Sequence, residues 1–327
     1  MSEFGPDTTT DEVLEGIDLT GRRVVITGAA SGLGFESARA LAAHGATVTV
    51  LARDGDKADR AVAELTTLVP EASFEAGVVD LADLATVHAF AARYLVDHDA
   101  IDVLINNAGV MACPFARTAD GFEMQFGTNH LGHFALTAGL APALLRGTEP
   151  RIVTLSSAGH ARSDVDLDDP NYERSEYGEW EAYGRSKTAN ALFARELARR
   201  GAPHDLLSFS VHPGAIVTEL GRHLTDELIE QMMARTQERT PERGEVAPGD
   251  SGGLRFKSVE AGAATQVWAS VADLAEHNGA YLADCQVGVS GGDLNTTGYL
   301  SYLLDDDHVE RLWTLSEELV DRRFPER

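Results

Sequence analysis

Apolar positions change rhythm along this chain in a repeating way. From Arg22 the β-branched run RRVVIT reads as a strand, passes through a glycine-rich turn, and gives way to FESARALAAH, whose apolar residues recur at helical spacing. Gly45 follows where helices commonly end, and ATVTVLA then alternates as a strand does. The pattern continues with a helix around 55–68, the strand SFEAGVV, a helix around 82–97 and the buried-type strand IDVLI. RIVTLS at 151–156, LLSFSVH at 206–212 and GAYLAD at 279–284 supply the later strands. Strands alternating with helices predict a parallel sheet covered on both faces. The handedness of the crossovers makes it a doubly wound α/β sheet of about seven strands with helices on both faces.

No shift in composition divides this pattern, so the expectation is a single domain over 19–327. The polar, acidic start MSEFGPDTTTDEVLEG has neither a basic leader nor an apolar core, and residues 1–18 are expected to be a flexible lead-in rather than a signal peptide. Two segments interrupt the rhythm. One is an acidic stretch at about 158–182. The other, at about 219–257, opens with TDELIEQMMART and continues as TPERGEVAPGDSGG. Long irregular segments in compact domains are commonly lids or disordered, and a substrate lid is the expectation here.

Composition narrows the classes. At 327 residues, with 43% hydrophobic and 24% charged residues, the chain can bury a sizeable core. Its 27 basic and 52 acidic side chains leave a net charge of −25, which repels phosphate backbones and anionic lipid; nucleic acid and membrane are therefore not expected partners. No run of about 18 apolar residues occurs. Cys113 and Cys285 are far apart and lack a histidine cluster, which argues against a disulfide framework or a metal site and for a reducing, cytoplasmic setting.

The candidate chemistry sits at the ends of the predicted strands. TGAASGLG places Gly28, Gly32 and Gly34 between a strand and a helix, where glycines allow close backbone approach and the helix N-terminus offers free N–H groups to a pyrophosphate. NNAG at 106–109 ends the fourth strand, SSAGH ends the fifth with Ser157 at its edge, and HPGAIVT follows the sixth. NHLGHF begins at Asn129 in a predicted helix, and EAYGRSKTAN sets Tyr183 and Lys187 on one helical face. Each has an ordinary structural explanation: a tight turn at the glycines, a helix-interior hydrogen bond for Asn129, a cap for Ser157, a turn at Pro213–Gly214, and helix-surface neighbours for Tyr183 and Lys187. Together they would have to coincide in register along the carboxyl edge of one sheet, where doubly wound folds bind ligands.

This ordered set resembles the short-chain dehydrogenase/reductase family from about Leu19 to Asp284, with the family pattern T-G-x-x-x-G-x-G, N-N-A-G, Asn, Ser, Y-x-x-x-K and P-G complete. NHLGHF, AYGRSKTANALFARELA and the long gap between Ser157 and Tyr183 are similar to the retinol-dehydrogenase-like and carbonyl-reductase-like branch. The resemblance implies a Rossmann fold and hydride transfer between a nicotinamide and a carbonyl/alcohol pair, as possible homo-oligomers (dimers or tetramers). By the same resemblance Tyr183 would be the acid/base, and Lys187 would lower its pKa and bind the nicotinamide ribose. Ser157 would polarise the substrate oxygen, and Asn129 would steady a proton-relaying water. Cofactor contacts would come from Gly28, Ser31, Gly32, Leu33, Gly34, Arg53, Asp80, Leu81, Asn107, Ala108, Gly109, Tyr183, Lys187, Pro213, Gly214, Ile216 and Thr218; no metal is implied.

In VLARDGD, Ala52 stands where NAD-binding relatives carry an acidic group, and Arg53 beside it suits a 2′-phosphate. This favours NADP(H). Ser31, where many NADP-preferring relatives are basic, and the adjacent Asp54 pull the other way, so NAD(H) stays open. Leu228, Ile229, Met232 and Met233, at helical spacing in the expected lid, suit a bulky apolar substrate or packing against the core. Two rival functions remain: a dinucleotide-binding sensor without turnover, and an epimerase or dehydratase. The intact Tyr–Lys pair weighs against the first. The glycine spacing and single-domain layout weigh against the second.

Overall fold

The computed structural model of the protein describes residues 4–231, 255–294 and 296–325. Its centre is an eight-stranded sheet in the order β3-β2-β1-β4-β5-β6-β7-β8. The strands are β1 (Arg23–Thr27), β2 (Thr47–Ala52), β3 (Ser73–Val78), β4 (Val103–Asn106), β5 (Arg151–Leu155), β6 (Leu207–His212), β7 (Tyr281–Ala283) and β8 (Gln286–Val287). All neighbours are parallel except β7 and β8. The expectation of about seven strands thus gains an antiparallel edge hairpin, turned by Asp284 and Cys285 in the left-handed region. Two residues are too few to show an alternation, which is why β8 left no pattern to read.

The strand order reverses between β1 and β4. Beyond their carboxyl ends lies the crevice that such a reversal creates. Every residue of β4 and β5 is buried, as strands covered on both faces must be. Val25, Leu104 and Ile152 point to one apolar layer, shared with α4 (Leu84–Asp97), α5 (Gly132–Leu144), α6 (Glu179–Gly201) and α8 (Asp306–Val320). Val24, Ile26, Val48, Val103 and Ile105 point to the other, shared with α2 (Gly32–Ala43), α3 (Gly55–Leu68) and α7 (Val259–Val271). The central helices and the sheet therefore clamp the crevice from both sides.

Two sequence expectations change here. Residues 10–14, placed in a flexible lead-in, instead form helix α1 (Thr10–Leu14). Thr9 and Glu12 close a reciprocal capping box, Arg39 pairs with Asp11 at 2.8 Å, and the Thr10 hydroxyl bonds Glu36. Val13 and Leu14 are buried in the same layer as α2 and α7, so two apolar residues anchor a segment whose average composition is polar. NHLGHF enters α5 through one π-turn, Gly127–Leu131, rather than regular α-helix. The acidic stretch is ordered in part by Asp169, whose carboxylate gathers the N–H groups of Glu173, Arg174 and Ser175. Of the expected lid, residues 219–231 and 255–257 are described; Met232 and Met233 lie outside the described residues.

The α1 anchor makes a direct prediction. Leu14→Ala should cost about 2–5 kcal/mol in urea unfolding, the range for emptying a fully buried leucine site. A cost near zero would return the segment to a loose tail.

Candidate active site

The crevice begins where two turns interlock. Gly28, just after β1, has φ +64°, and a Cβ there would lie 2.9 Å from the Cα of Ala108. A Cβ on Gly34 would meet Asn107 Nδ2 at 2.6 Å and the Gly28 carbonyl at 2.7 Å. Only glycine allows the first turn of α2 to sit so close to the turn after β4. Asn107 Nδ2 donates to the Thr27 carbonyl at 2.8 Å. The Thr27 hydroxyl accepts from the backbone N–H groups of Asn107 and Ala108 at 2.9 and 3.0 Å; its own proton has His133 Nε2 at 2.9 Å as the nearer acceptor, with the Ile105 carbonyl at 3.4 Å. His133 Nδ1 in turn donates to the Asn129 carbonyl at 2.8 Å. That ring is neutral: burial pulls it down to about 4, helped by Lys187 and opposed by its bond to Asn129.

Asn129 occupies the π-turn and faces the other way with its side chain. Its Oδ1 accepts from Val110 N–H at 2.8 Å, and its Nδ2 donates to the Val110 carbonyl and Ser186 Oγ, both at 2.9 Å. The amide thus clamps the chain just beyond Gly109 to the helix that carries Tyr183 and Lys187. Both amide protons are committed, and Oδ1 keeps one lone pair.

On α6, Tyr183 and Lys187 are both 4% exposed. The tyrosine ring lies against Gly159, where a Cβ would stand 2.7 Å from Cε1, and Ser157 is near enough to pull its hydroxyl pKa down. Ser157 Oγ also accepts from Gly159 N–H at 3.0 Å. Lys187 Nζ donates to the Leu155 carbonyl at 2.9 Å and stands 5.7 Å from the tyrosine ring centre. Burial dominates both groups. It pushes Tyr183 up to about 12, against the pull of Ser157 and Arg162, and takes Lys187 down to about 7. In the protein alone, burial outweighs any pull of Lys187 on the tyrosine. Trp180, Ala112 and Leu228 enclose the phenol, and the burial of Lys187 disfavours its ammonium.

A cavity of about 1130 Å³ joins these residues to the first turn. All the sequence-predicted site residues line it except Gly34 and Asn129, which stand behind its wall. Leu81 is buried, and Asp80 Oδ1 accepts from Ala82 N–H at 3.0 Å. Leu33 and Ile216 both abut Gly262 on α7, while Thr218 caps the short helix Glu219–His223 above Gly32. Arg53 is exposed at the rim with Lys57 nearby on the lining, and Asp54 spends its carboxylate capping α3 through Lys57 N–H at 3.0 Å. At the opposite end Met111, Trp180 and Leu224 form an apolar wall beside Tyr183, backed by Leu228, whose carbonyl accepts from Trp180 Nε1 at 3.1 Å. Ile229 is 39% exposed.

Sequence reasoning missed Thr27, His133, Arg162, Trp180 and His212. Arg162 stacks 4.3 Å over the Trp180 ring. His212 Nδ1 accepts from Ala158 and Gly214 N–H at 3.3 and 3.4 Å, tying the Ser157 loop to the Pro213–Gly214 turn. Burial, then Lys257 and His160, hold that imidazole down to about 3. The one available signal was spacing: His133 follows Asn129 by four residues, one helical turn.

A switch-point crevice with a glycine cradle at one end and a buried Ser–Tyr–Lys cluster at the other defines a dinucleotide-dependent oxidoreductase. Comparison with known proteins agrees. The family described as short chain dehydrogenase matches residues 22–229. A Streptomyces lividans protein named "Probable oxidoreductase" is 40% identical over 301 residues, covering 91% of this chain and 97% of its own. Mouse retinol dehydrogenase 12 is 36% identical over 306 residues, covering 93% and 88%. The crystal structure of an uncharacterised Mycobacterium paratuberculosis protein superposes with a TM-score of 0.73 at 34% identity, covering 98% of this chain and 99% of that one. The chain belongs to the short-chain dehydrogenase/reductase family, in its retinol-dehydrogenase-like branch. Members are NAD(P)-dependent oxidoreductases. No helix among the described residues is long and apolar enough to cross a membrane.

The neutral histidines set a pH dependence. His88, His130, His133, His212 and His223 are all held below their usual 6.5, while His308, bonded to Asp164, is raised and opposes them. Below 6.5 the unfolded chain takes up protons that the folded histidines refuse, so their contribution is full above 6.5 and lost as pH falls towards 4. Urea unfolding at about pH 5 should give a lower free energy than at about pH 7, before most carboxylates titrate. A level profile across that window would contradict the neutral assignment.

Proposed function

We propose that the protein interconverts a carbonyl and an alcohol on a bulky apolar substrate, with NADP(H) preferred over NAD(H). The observation that carries the reading is the single cavity that brings Ser157, Tyr183 and Lys187 together between a glycine cradle and an apolar wall. The cradle fits a dinucleotide: a side chain at Gly28 would fill it, and Gly32 and Leu33 at the start of α2 line it. Gly28, Ser31, Gly32, Leu33, Asp80, Leu81, Asn107, Ala108, Gly109, Pro213, Gly214, Ile216 and Thr218 would hold the cofactor, with Gly34 shaping the turn from behind. A bound nicotinamide supplies or accepts the hydride.

The chain's own residues handle the oxygen and its proton. Ser157 directs a hydrogen bond to the substrate oxygen while Gly159 N–H occupies one of its lone pairs. In reduction, Tyr183 Oη gives its proton to that oxygen; in oxidation it takes the proton back. Lys187 holds the ribose and adjusts the phenol, and Asn129 fixes the Gly109–Val110 strand end against α6. Met111, Trp180, Leu224 and Ile229 receive the apolar body of the substrate and exclude water, with Leu228 packed behind them. The residues of 219–257 would act as the lid. Buried Cys113 and Cys285, both free thiols, suit the reducing cytoplasm expected for this protein.

Tyr183→Phe removes the exchangeable proton and little volume. Turnover on the best substrate from a ketone and aldehyde panel should vanish while cofactor affinity stays near wild type. Retention of more than about a tenth of kcat would overturn the proton-transfer role. Cofactor binding with no turnover of the wild type on any carbonyl or alcohol would favour the sensor reading.

The cofactor preference rests on Arg53 beside buried, uncharged Ala52, with Lys57 close by on the same lining. A charge-assisted contact contributes roughly 1.5–3 kcal/mol, so kcat/KM should favour NADPH by about tenfold to a hundredfold. Arg53→Ala should raise KM for NADPH and scarcely alter that for NADH. A wild-type preference for NADH would sink this assignment and leave the hydride-transfer reading intact.

A further inference from the structure

His160 closes the SSAGH motif and is completely buried. Its position is set from two sides. Towards the sheet, both its backbone N–H, at 3.0 Å, and its ring Nδ1, at 2.7 Å, reach the carbonyl of Ser157. Away from the sheet, its Nε2 meets the backbone N–H of Leu300 at 3.2 Å, and its own carbonyl accepts from the Tyr302 hydroxyl and from Thr188 Oγ1. The ring edge packs on Tyr281 with centroids 5.3 Å apart.

These partners leave one tautomer. A carbonyl can only accept, so Nδ1 carries the proton; an N–H can only donate, so Nε2 is bare. The imidazole therefore links two backbone positions 143 residues apart, Ser157 and Leu300. Leu300 follows the small parallel pair β9 (Val289–Ser290) and β10 (Gly298–Tyr299), in a part of the chain beyond the family match at 22–229. Two hydrogen bonds to the Ser157 carbonyl fix the peptide after the serine, and with it the backbone from which its side chain reaches the cavity shared with Tyr183.

We infer that His160 is a positioning residue for Ser157, and that the C-terminal segment around Leu300 is a working part of the active site, aiming the serine through this imidazole. The inference rests on the proposed role of Ser157 at the substrate oxygen. It predicts that loss of either hydrogen bond affects turnover rather than cofactor affinity, because the glycine cradle lies elsewhere.

The test uses paired variants of the full chain, with kcat on the best carbonyl substrate and NADPH affinity by fluorescence titration. His160→Phe keeps the ring volume and removes both bonds; kcat should fall by about tenfold to a hundredfold at near-constant NADPH affinity, the scale of a misplaced polarising group. His160→Asn retains a donor near the Nδ1 position and should recover most of the loss, whereas His160→Gln should not. Leu300→Pro deletes the N–H together with the leucine side chain, for which Leu300→Ala is the control, and Leu300 already has φ −79°, within proline's reach. It should lower kcat several-fold, with Leu300→Ala near wild type. Where His160→Phe does not fold, the Asn/Gln and Pro/Ala contrasts decide. Wild-type kcat in His160→Phe, rescue by Gln equal to that by Asn, or Leu300→Pro matching Leu300→Ala would each overturn the inference. Nitrogen-15 histidine spectra give an independent reading: a proton on Nε2 of His160 instead of Nδ1 would overturn it without any substrate. Ser157→Ala separates the two levels. If it stays active, the proposed role of Ser157 fails; if it is inactive while His160→Phe is not, only the positioning role fails.

Discussion

One hydroxyl, that of Thr27, sets the geometry on which the crevice depends. It ends β1, accepts two N–H groups from the turn after β4, and gives its proton to His133. With the Ile105 carbonyl a further contact at 3.4 Å, the hydroxyl is engaged on every side and ties the first strand's turn to the fourth's. Gly28 and Gly34 then fill the remaining space to contact distance. His133 passes the constraint into the π-turn, where Asn129 accepts at its carbonyl and clamps Val110 and Ser186 with its amide. Ser186 adjoins Lys187. A cradle for phosphates and a buried Tyr–Lys pair are thus parts of one hydrogen-bonded frame, and either could shift only by breaking bonds to the other.

Burial is the second constraint, and it acts on both members of the pair at once. It raises Tyr183 and lowers Lys187, so the protein alone favours a protonated phenol and weakens the charge on its neighbour. Neither shift serves the fold, because an apolar pair would fill the same volume without desolvating a cation. In the proposed reaction the shift has a use: a phenol that keeps its proton is ready to give it to a carbonyl oxygen. Ser157 and Arg162 pull the other way, and the balance among them sets how readily the proton returns.

Much of this was legible in the sequence, for physical reasons that also explain the rest. Strands such as VVIT, VTVLA and IVTL showed themselves because strands buried on both faces must be β-branched and apolar throughout. Asn107, Ser157, Tyr183, Lys187 and Gly214 were found because each sits at a strand end or on a helix with a fixed offset, and the crevice gathers them. Helix α1 was missed because composition averages over sixteen residues what Thr9, Glu12, Val13 and Leu14 do locally; the capping-box spacing from Thr9 to Glu12 was the overlooked sign. The roles of Thr27 and His133 depend on partners as far as 106 residues apart, and no periodicity records such a contact. The burial of the tyrosine had no sequence signal for the same reason: a neighbour four residues away is visible in sequence, whereas the enclosure formed by Trp180, Ala112 and Leu228 is not.

The charge distribution shows how local and global fields part company in this molecule. A net charge of −25 would repel a dinucleotide that carries its own phosphates. At about 0.15 M salt that field decays over roughly 8 Å, so distant carboxylates matter less than the groups at the rim. There the chain places Arg53, Lys57 and Arg222 on the lining of one cavity, and Arg222 and Arg53 together help to hold His223 below its usual range. Asp54, the nearest carboxylate in sequence, is turned into the cap of α3. The acidic surface and the cationic rim are therefore compatible: the first governs how the whole protein meets macromolecules, the second what a small anion meets once it has come within a Debye length of the crevice.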